Sequence, residues 1–160
     1  MKKHLQMLAV ALVLALFAGA SFAEITLKVG PNLDDDDGAT WALSLAGNEP
    51  SGVALTVGQS LHDPGKDDGR NAFIGADYFF KVNVFRLALG AAYWQKPLHL
   101  TSERLNAHLG AAAVFPVNRA LSVGVYLDHW SNCRRICNHD VNEIKNHPRN
   151  VLSVGLSLPL

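Results

Sequence analysis

The chain contains 160 residues, enough for one domain, and its 14 basic and 14 acidic residues give a formal net charge of 0. Because there is no basic excess, nucleic acid is not an expected partner. Hydrophobic residues make up 49% of the chain, yet beyond the N-terminal stretch no segment is a candidate transmembrane helix.

The N-terminal residues 1–23 have the pattern of a secretory signal peptide. Lys2 and Lys3 supply the positive start, residues 7–18 are continuously apolar, and residues 21–23 place small side chains at the positions that matter for cleavage. A retained N-terminal anchor is the alternative, although the apolar stretch is short for a membrane span. Cleavage after Ala23 leaves residues 24–160 as one exported domain with a formal charge of about −2.

The remaining chain consists of short runs in which apolar and polar residues alternate, separated by Gly, Pro, Asn and Asp. Alternation with a period of two is typical of β-strands with one apolar and one polar face. We predict eight strands, at roughly 24–31, 40–47, 52–61, 71–80, 84–94, 103–115, 120–130 and 151–159. The polar face carries small and charged residues, including Lys28, Asp77, Arg86, Arg104 and His108. Among these, we expect His108 to be a hydrogen-bonded interior residue.

Two patterns favour a membrane barrel over a soluble sandwich, in which the apolar face would form the core. The connections between strands are alternately short and long, as in barrels with short periplasmic turns and longer external loops. The short ones lie near 48–51, 81–83 and 116–119, and the long ones near 31–40, 61–70, 95–102 and 131–150. Aromatic residues near strand ends lie on the apolar face, like interfacial girdles: Trp41, Tyr78, Phe80, Phe85, Tyr93 and Phe115. We therefore predict an all-β fold, an eight-stranded antiparallel up-and-down outer-membrane β-barrel with a narrow, filled lumen.

The seventh run ends in the motif His129-Trp130-Ser131-Asn132. The apolar positions of this run are the odd-numbered residues from 121 to 127, so His129 and Ser131 continue the same face. A general base and a hydroxyl nucleophile then share the lipid-facing side of one strand, two residues apart. If the first strand rises from the periplasm, the pair lies at the external end, next to a leaflet that is lipopolysaccharide in a Gram-negative outer membrane. A lipid ester is the natural substrate.

The signal peptide, the eight-run layout and the His-aromatic-Ser-Asn motif resemble the outer-membrane lipid A 3-O-deacylases, the PagL-type acyloxyacyl hydrolases. The resemblance implies hydrolysis of the ester-linked acyl chain at the 3 position of lipid A, on the barrel exterior, without a metal or cofactor. It implies Ser131 as nucleophile, His129 as base, and Glu143, twelve residues after the serine, as the residue that orients the imidazole. Asp140 is an alternative to Glu143, and Asn132 is a candidate for stabilising the oxyanion.

The segment after the motif departs from the family pattern, which has small residues there. Arg134 and Arg135 occur instead and are candidates for binding lipid A phosphates, because guanidinium groups suit phosphate. Cys133 and Cys137 are the only cysteines, and the oxidising exported compartment would allow a disulfide between them if the tight spacing can close. A zinc site is not expected, because these cysteines and the nearby histidines fit no familiar ligand spacing. The chain also ends in Leu160 rather than the terminal aromatic common in outer-membrane barrels.

Three functions stay open at this point. The first is the lipid A deacylase, and the second is a non-enzymatic small outer-membrane barrel that binds lipopolysaccharide or a surface partner. The third is an outer-membrane esterase or phospholipase that acts on another lipid. A channel is not expected, because eight strands enclose too little space. A homodimer is compatible with the sequence, which carries no interface signature.

Overall fold

The computed structural model describes residues 23–33, 38–47, 49–61, 70–95, 104–132 and 149–160. They form eight strands: β1 (Glu24–Pro31), β2 (Ala39–Ala46), β3 (Ser51–Leu61), β4 (Arg70–Val82), β5 (Phe85–Trp94), β6 (Leu105–Asn118), β7 (Leu121–Asn132) and β8 (Arg149–Pro159). Each strand pairs antiparallel with the next, and β8 pairs with β1, so the sheet closes into a barrel in sequence order. The predicted fold class is confirmed. Of the predicted signal peptide, only Ala23 lies within the described residues.

The alternation of apolar and polar residues locates the strands well, and the predicted bounds differ from the observed ones by up to three residues. The largest difference is at the end of β6, which continues past Pro116 to Asn118 with an irregular pairing to β7. Proline has no N–H to donate to the ladder, which explains the interruption. The β4–β5 turn is short, as predicted, and Asn83 adopts a φ of 55° there, a left-handed conformation that asparagine tolerates. Within the described ranges, no helix has the length and hydropathy to cross a membrane.

The outer face of the barrel is apolar. Leu89 and Leu109 are 64% and 53% exposed, and Val125 and Leu156 are comparably open. Predicted girdle aromatics share this exposed face: Tyr78, Phe80, Phe85, Tyr93 and Phe115. A soluble sandwich would bury these side chains in its core, so the closed barrel with its apolar exterior excludes that alternative.

The lumen is narrow and polar, as predicted, and an ion-pair network fills its middle. Lys28 Nζ lies 2.6 Å from Asp128 Oδ2. His108 bridges two carboxylates, with Nδ1 2.7 Å from Asp77 Oδ1 and Nε2 3.0 Å from Asp128 Oδ1. The expectation that His108 is a hydrogen-bonded interior residue is confirmed. A side chain at Gly90 would collide with the Asp77 carboxylate, so the glycine makes room for this network.

A second ion cluster lies near the end of the barrel that holds the short turns. Glu24 accepts hydrogen bonds from Lys81 Nζ at 3.0 Å and from Arg86 Nη2 at 2.7 Å. Both cations also lie over the ring of Phe79, at 5.1 Å and 5.7 Å from its centroid. The charges of these two clusters are thus paired with one another, which offsets the cost of burying them in a narrow lumen.

The prediction that Arg104 lies on the lumen face is wrong. Arg104 is exposed and precedes β6, which begins at Leu105. Its Nη1 donates a hydrogen bond to Tyr93 Oη at 3.4 Å. The Arg104 carbonyl accepts from the Trp94 N–H at 2.8 Å, so the residue lies at the edge of the ladder, where alternation no longer fixes the side of a long side chain.

Candidate active site

His129 and Ser131 lie on the outer face of β7, near the end of the barrel where the long connections lie, here called the long-loop end. Val123, Val125 and Leu127 precede them on that face and are exposed, whereas His129 and Ser131 are half-buried. Two residues of a strand span about 7 Å, so the imidazole and the hydroxyl are neighbours on one surface. The structure therefore places His129 and Ser131 on the same exterior face, two residues apart in β7.

Trp130 points the opposite way, into the lumen, and is only 2% exposed. Its ring lies 5.6 Å from that of Phe73 and 5.7 Å from that of Trp94, and it stacks on His108 at 5.0 Å. These side chains form an aromatic plug above the ion-pair network, and Val151 packs in the same cluster. Because Trp130 is held inside, its two neighbours in the strand are held outside.

A cross-strand hydrogen bond holds the imidazole of His129. Asn150 of β8 is its Cα partner in the ladder, and His129 Nδ1 lies 2.8 Å from Asn150 Oδ1. An amide oxygen only accepts, so Nδ1 carries the proton in this contact. The other ring nitrogen, Nε2, then has the lone pair that a general base needs.

A row of alanines leads away from Ser131 across the outer surface. Ser131 pairs with Ala107 of β6, Ala107 with Ala91 of β5, and Ala91 with Ala76 of β4. We call these three residues the alanine lane. Neighbouring strands lie about 4.8 Å apart, so the lane extends about 14 Å from the serine.

Larger apolar side chains border the alanine lane on both sides. The row toward the long-loop end contains Leu105, Tyr93 and Ile74, and the opposite row contains Leu109, Leu89 and Tyr78. An open apolar groove lies farther along this surface, over β2 to β5, and has Ala76 and Ala91 of the lane in its lining and Leu105 at its edge. By strand register, these small residues between larger ones connect the position of Ser131 with that groove.

The other predicted site residues are described in part or not at all. Asn132 is the last residue of β7, where it pairs with Asn106. The following predicted residues lie outside the described ranges: Cys133, Arg134, Arg135, Cys137, Asp140 and Glu143. Their roles and the disulfide stay predictions.

Asn150 is a candidate site residue that was not predicted from the sequence. Its side chain continues the outer face of β8, on which Leu152, Val154 and Leu156 are exposed to lipid. A primary amide on an otherwise apolar stripe was the signal that could have identified it, because a polar group facing lipid needs a partner. The pairing with His129 could not be found from spacing, since a long connection of unknown register separates β7 from β8.

No known protein-family profile matches the chain, and no curated protein sequence matches it. Among solved structures, the crystal structure of the outer membrane enzyme PagL is similar, with a TM-score of 0.61 and 17% identity over 86% of this chain and 100% of that one. The de novo designed protein TMB2.3 is similar with a TM-score of 0.52 and 15% identity, over 89% and 96% of the two chains. A structure from the de novo design of transmembrane β-barrels gives 0.51 and 16%, over 88% and 97%. At these identities the likeness shows the fold, an eight-stranded transmembrane barrel.

Proposed function

We propose that this protein is a lipid A 3-O-deacylase of the Gram-negative outer membrane, exported through a cleaved signal peptide. The observation that carries the proposal is the outward-facing pair of His129 and Ser131, with the imidazole held by Asn150. Ionisable groups on the membrane surface of a protein are costly and mark functional sites. The barrel alone does not decide the question, since both an enzyme and designed barrels share it.

The proposed reaction is ester hydrolysis through an acyl-enzyme. Ser131 Oγ attacks the ester carbonyl while His129 Nε2 accepts the hydroxyl proton. Collapse of the tetrahedral intermediate breaks the bond to the sugar oxygen, which takes that proton from the imidazolium. Water, deprotonated by the same imidazole, then attacks the acyl-enzyme and releases a fatty acid and the free serine. Asn132 is the candidate donor to the oxyanion, an interaction that contributes roughly 3–4 kcal/mol per donor in other hydrolases.

The surroundings of the pair support a lipid substrate. The alanine lane starts at Ser131 and is apolar along its length, so an acyl chain attached to the reacting ester has a trough to lie in. In outer-membrane barrels with short periplasmic turns the long-loop end is the external end, so in this proposal the site faces the leaflet that contains lipopolysaccharide. In this proposal Arg134 and Arg135 bind lipid A phosphates, and Glu143 acts near the imidazole.

The test is mass spectrometry of lipid A from cells that express the wild type, Ser131→Ala or Ser122→Ala. Ser122 lies at the opposite end of β7 and is the matched control for removing one hydroxyl from this strand. We expect loss of one ester-linked hydroxyacyl chain with the wild type and the control, and unchanged lipid A with Ser131→Ala. Unchanged lipid A in all three, with the barrels folded in the outer membrane, would exclude the deacylase. Cleaved glycerophospholipids with intact lipid A would instead identify a phospholipase.

A further inference from the structure

We infer that Asn150 is the positioning residue that fixes the tautomer of the His129 imidazole, an inference that rests on the proposed function. The hydrogen bond is direct, at 2.8 Å between His129 Nδ1 and Asn150 Oδ1. The two residues are Cα partners in adjacent strands, so the ladder itself sets their separation. A base held from a strand is placed more precisely than one held from a loop.

Asn150 is fixed in place by its neighbours on β8. Arg149 and Val151 are 3% and 1% exposed, and both point into the lumen. The Arg149 guanidinium donates a hydrogen bond to Ser60 Oγ at 3.0 Å, and Val151 packs in the aromatic plug. With both neighbours locked inside, the side chain between them has to face outward, toward His129.

The two residues that follow β1, Asn32 and Leu33, bond to the start of β8 on the side opposite β7. The Leu33 backbone N–H donates to the Asn150 carbonyl at 2.8 Å, and Asn32 forms an antiparallel bridge with Val151. The start of β8 is therefore held by hydrogen bonds from both β7 and the chain beyond β1. This is the rigid support that a positioning residue needs, because small misplacements of a catalytic group slow a reaction strongly.

The chemical consequence is a serine, histidine and asparagine arrangement on the barrel exterior. The described cross-strand neighbours of His129 are Leu109 and Asn150, and both are uncharged. Asn150 orients the ring and keeps the proton on Nδ1, but it adds no negative charge to stabilise the imidazolium. Glu143 can still contribute charge in this arrangement, while the tautomer depends on Asn150.

The first measurement reads the tautomer without relying on activity. NMR records the signals of the imidazole nitrogens in ¹⁵N-histidine-labelled protein in detergent micelles. The signals that are missing in His129→Gln belong to His129. We expect the Nδ1–H form in the wild type and a shift toward the Nε2–H form in Asn150→Leu. Asn118→Leu, at the far end of the barrel, is the matched control and should leave the signals unchanged. An unchanged tautomer in Asn150→Leu, or a change in Glu143→Gln instead, would overturn the inference.

The second measurement is the pH dependence of lipid A hydrolysis by the purified variants. Asn150→Leu should lower kcat about 100-fold with little change in KM, because the ring is misplaced while the binding surface remains. Asn150→Asp keeps an acceptor, so it should recover most of the rate and move the acid limb of the pH–rate profile upward, since a carboxylate favours the protonated imidazole. Equal rates and pH profiles in all three proteins would contradict the role of Asn150. Loss of hydrolysis by Ser131→Ala in the same assay keeps the proposed function intact whichever result Asn150 gives.

Discussion

Trp130→Ala removes the buried ring that lies between His129 and Ser131 in β7, and it should lower the stability of the barrel at this end. The ring is 2% exposed and lies within 5.7 Å of the rings of Phe73, Trp94 and His108. The contacts of Trp130 with Phe73 and Trp94 contribute about 0.5–1.5 kcal/mol each beyond burial, and truncation of a buried Trp to Ala costs about 3–5 kcal/mol. We expect a loss of about 4 kcal/mol in the free energy of unfolding, or about a thousandfold in the unfolding equilibrium constant.

The assay is guanidinium unfolding of the barrel in phospholipid vesicles, followed by far-ultraviolet circular dichroism and by gel mobility of unheated samples. Trp130→Phe keeps a ring in the plug and should lose clearly less than the alanine variant. Trp41→Ala removes a half-buried indole from the outer face and is the matched control for the loss of one tryptophan. If Trp130→Ala and Trp41→Ala unfold at the same denaturant concentration, the plug does not hold this end of the barrel.

Two further substitutions test the lumen and the alanine lane. Asp128→Asn leaves Lys28 without its ion pair and His108 without one of its two carboxylates. The free energy of unfolding should therefore fall by about 3–5 kcal/mol in the same unfolding assay. A change below about 1 kcal/mol would show that the network is not stabilising. Ala91→Leu fills the lane two strands from Ser131, so lipid A deacylation should fall at least about tenfold while hydrolysis of a short-chain ester is retained. Ala113→Leu, on the same outer face but away from the lane, is its control, and equal rates in the two variants would exclude the lane as the acyl site.

The strands and the position of the pair could be predicted because both depend on a local rule. Side chains alternate between faces, so His129 and Ser131 follow from counting along one apolar run. The membrane barrel was predictable in part from alternating connection lengths, which are typical of outer-membrane barrels. Arg104 was assigned wrongly because the alternation rule weakens at the first residue of a strand.

Contacts across the barrel could not be predicted from the sequence. Lys28 and Asp128 are 100 residues apart, and they meet because β1 and β7 both flank β8 in the closed sheet. His108 was predicted to be hydrogen-bonded, but its partners depend on the register of strands that are distant in sequence. Asn150 was missed for the same reason, because the register between β7 and β8 is set by strand pairing across a long connection.

In the proposed mechanism His129 activates a lipid-facing serine, and labelling with a long-chain alkyl fluorophosphonate is the direct test of that activation. The purified barrel in detergent micelles is treated with the reagent, and the modified residue is identified by peptide mass spectrometry. We expect one adduct, on Ser131, formed by the wild type and lost in His129→Ala, with Ser122→Ala labelled like the wild type. An unlabelled protein, or an adduct that forms equally well without His129, would contradict it.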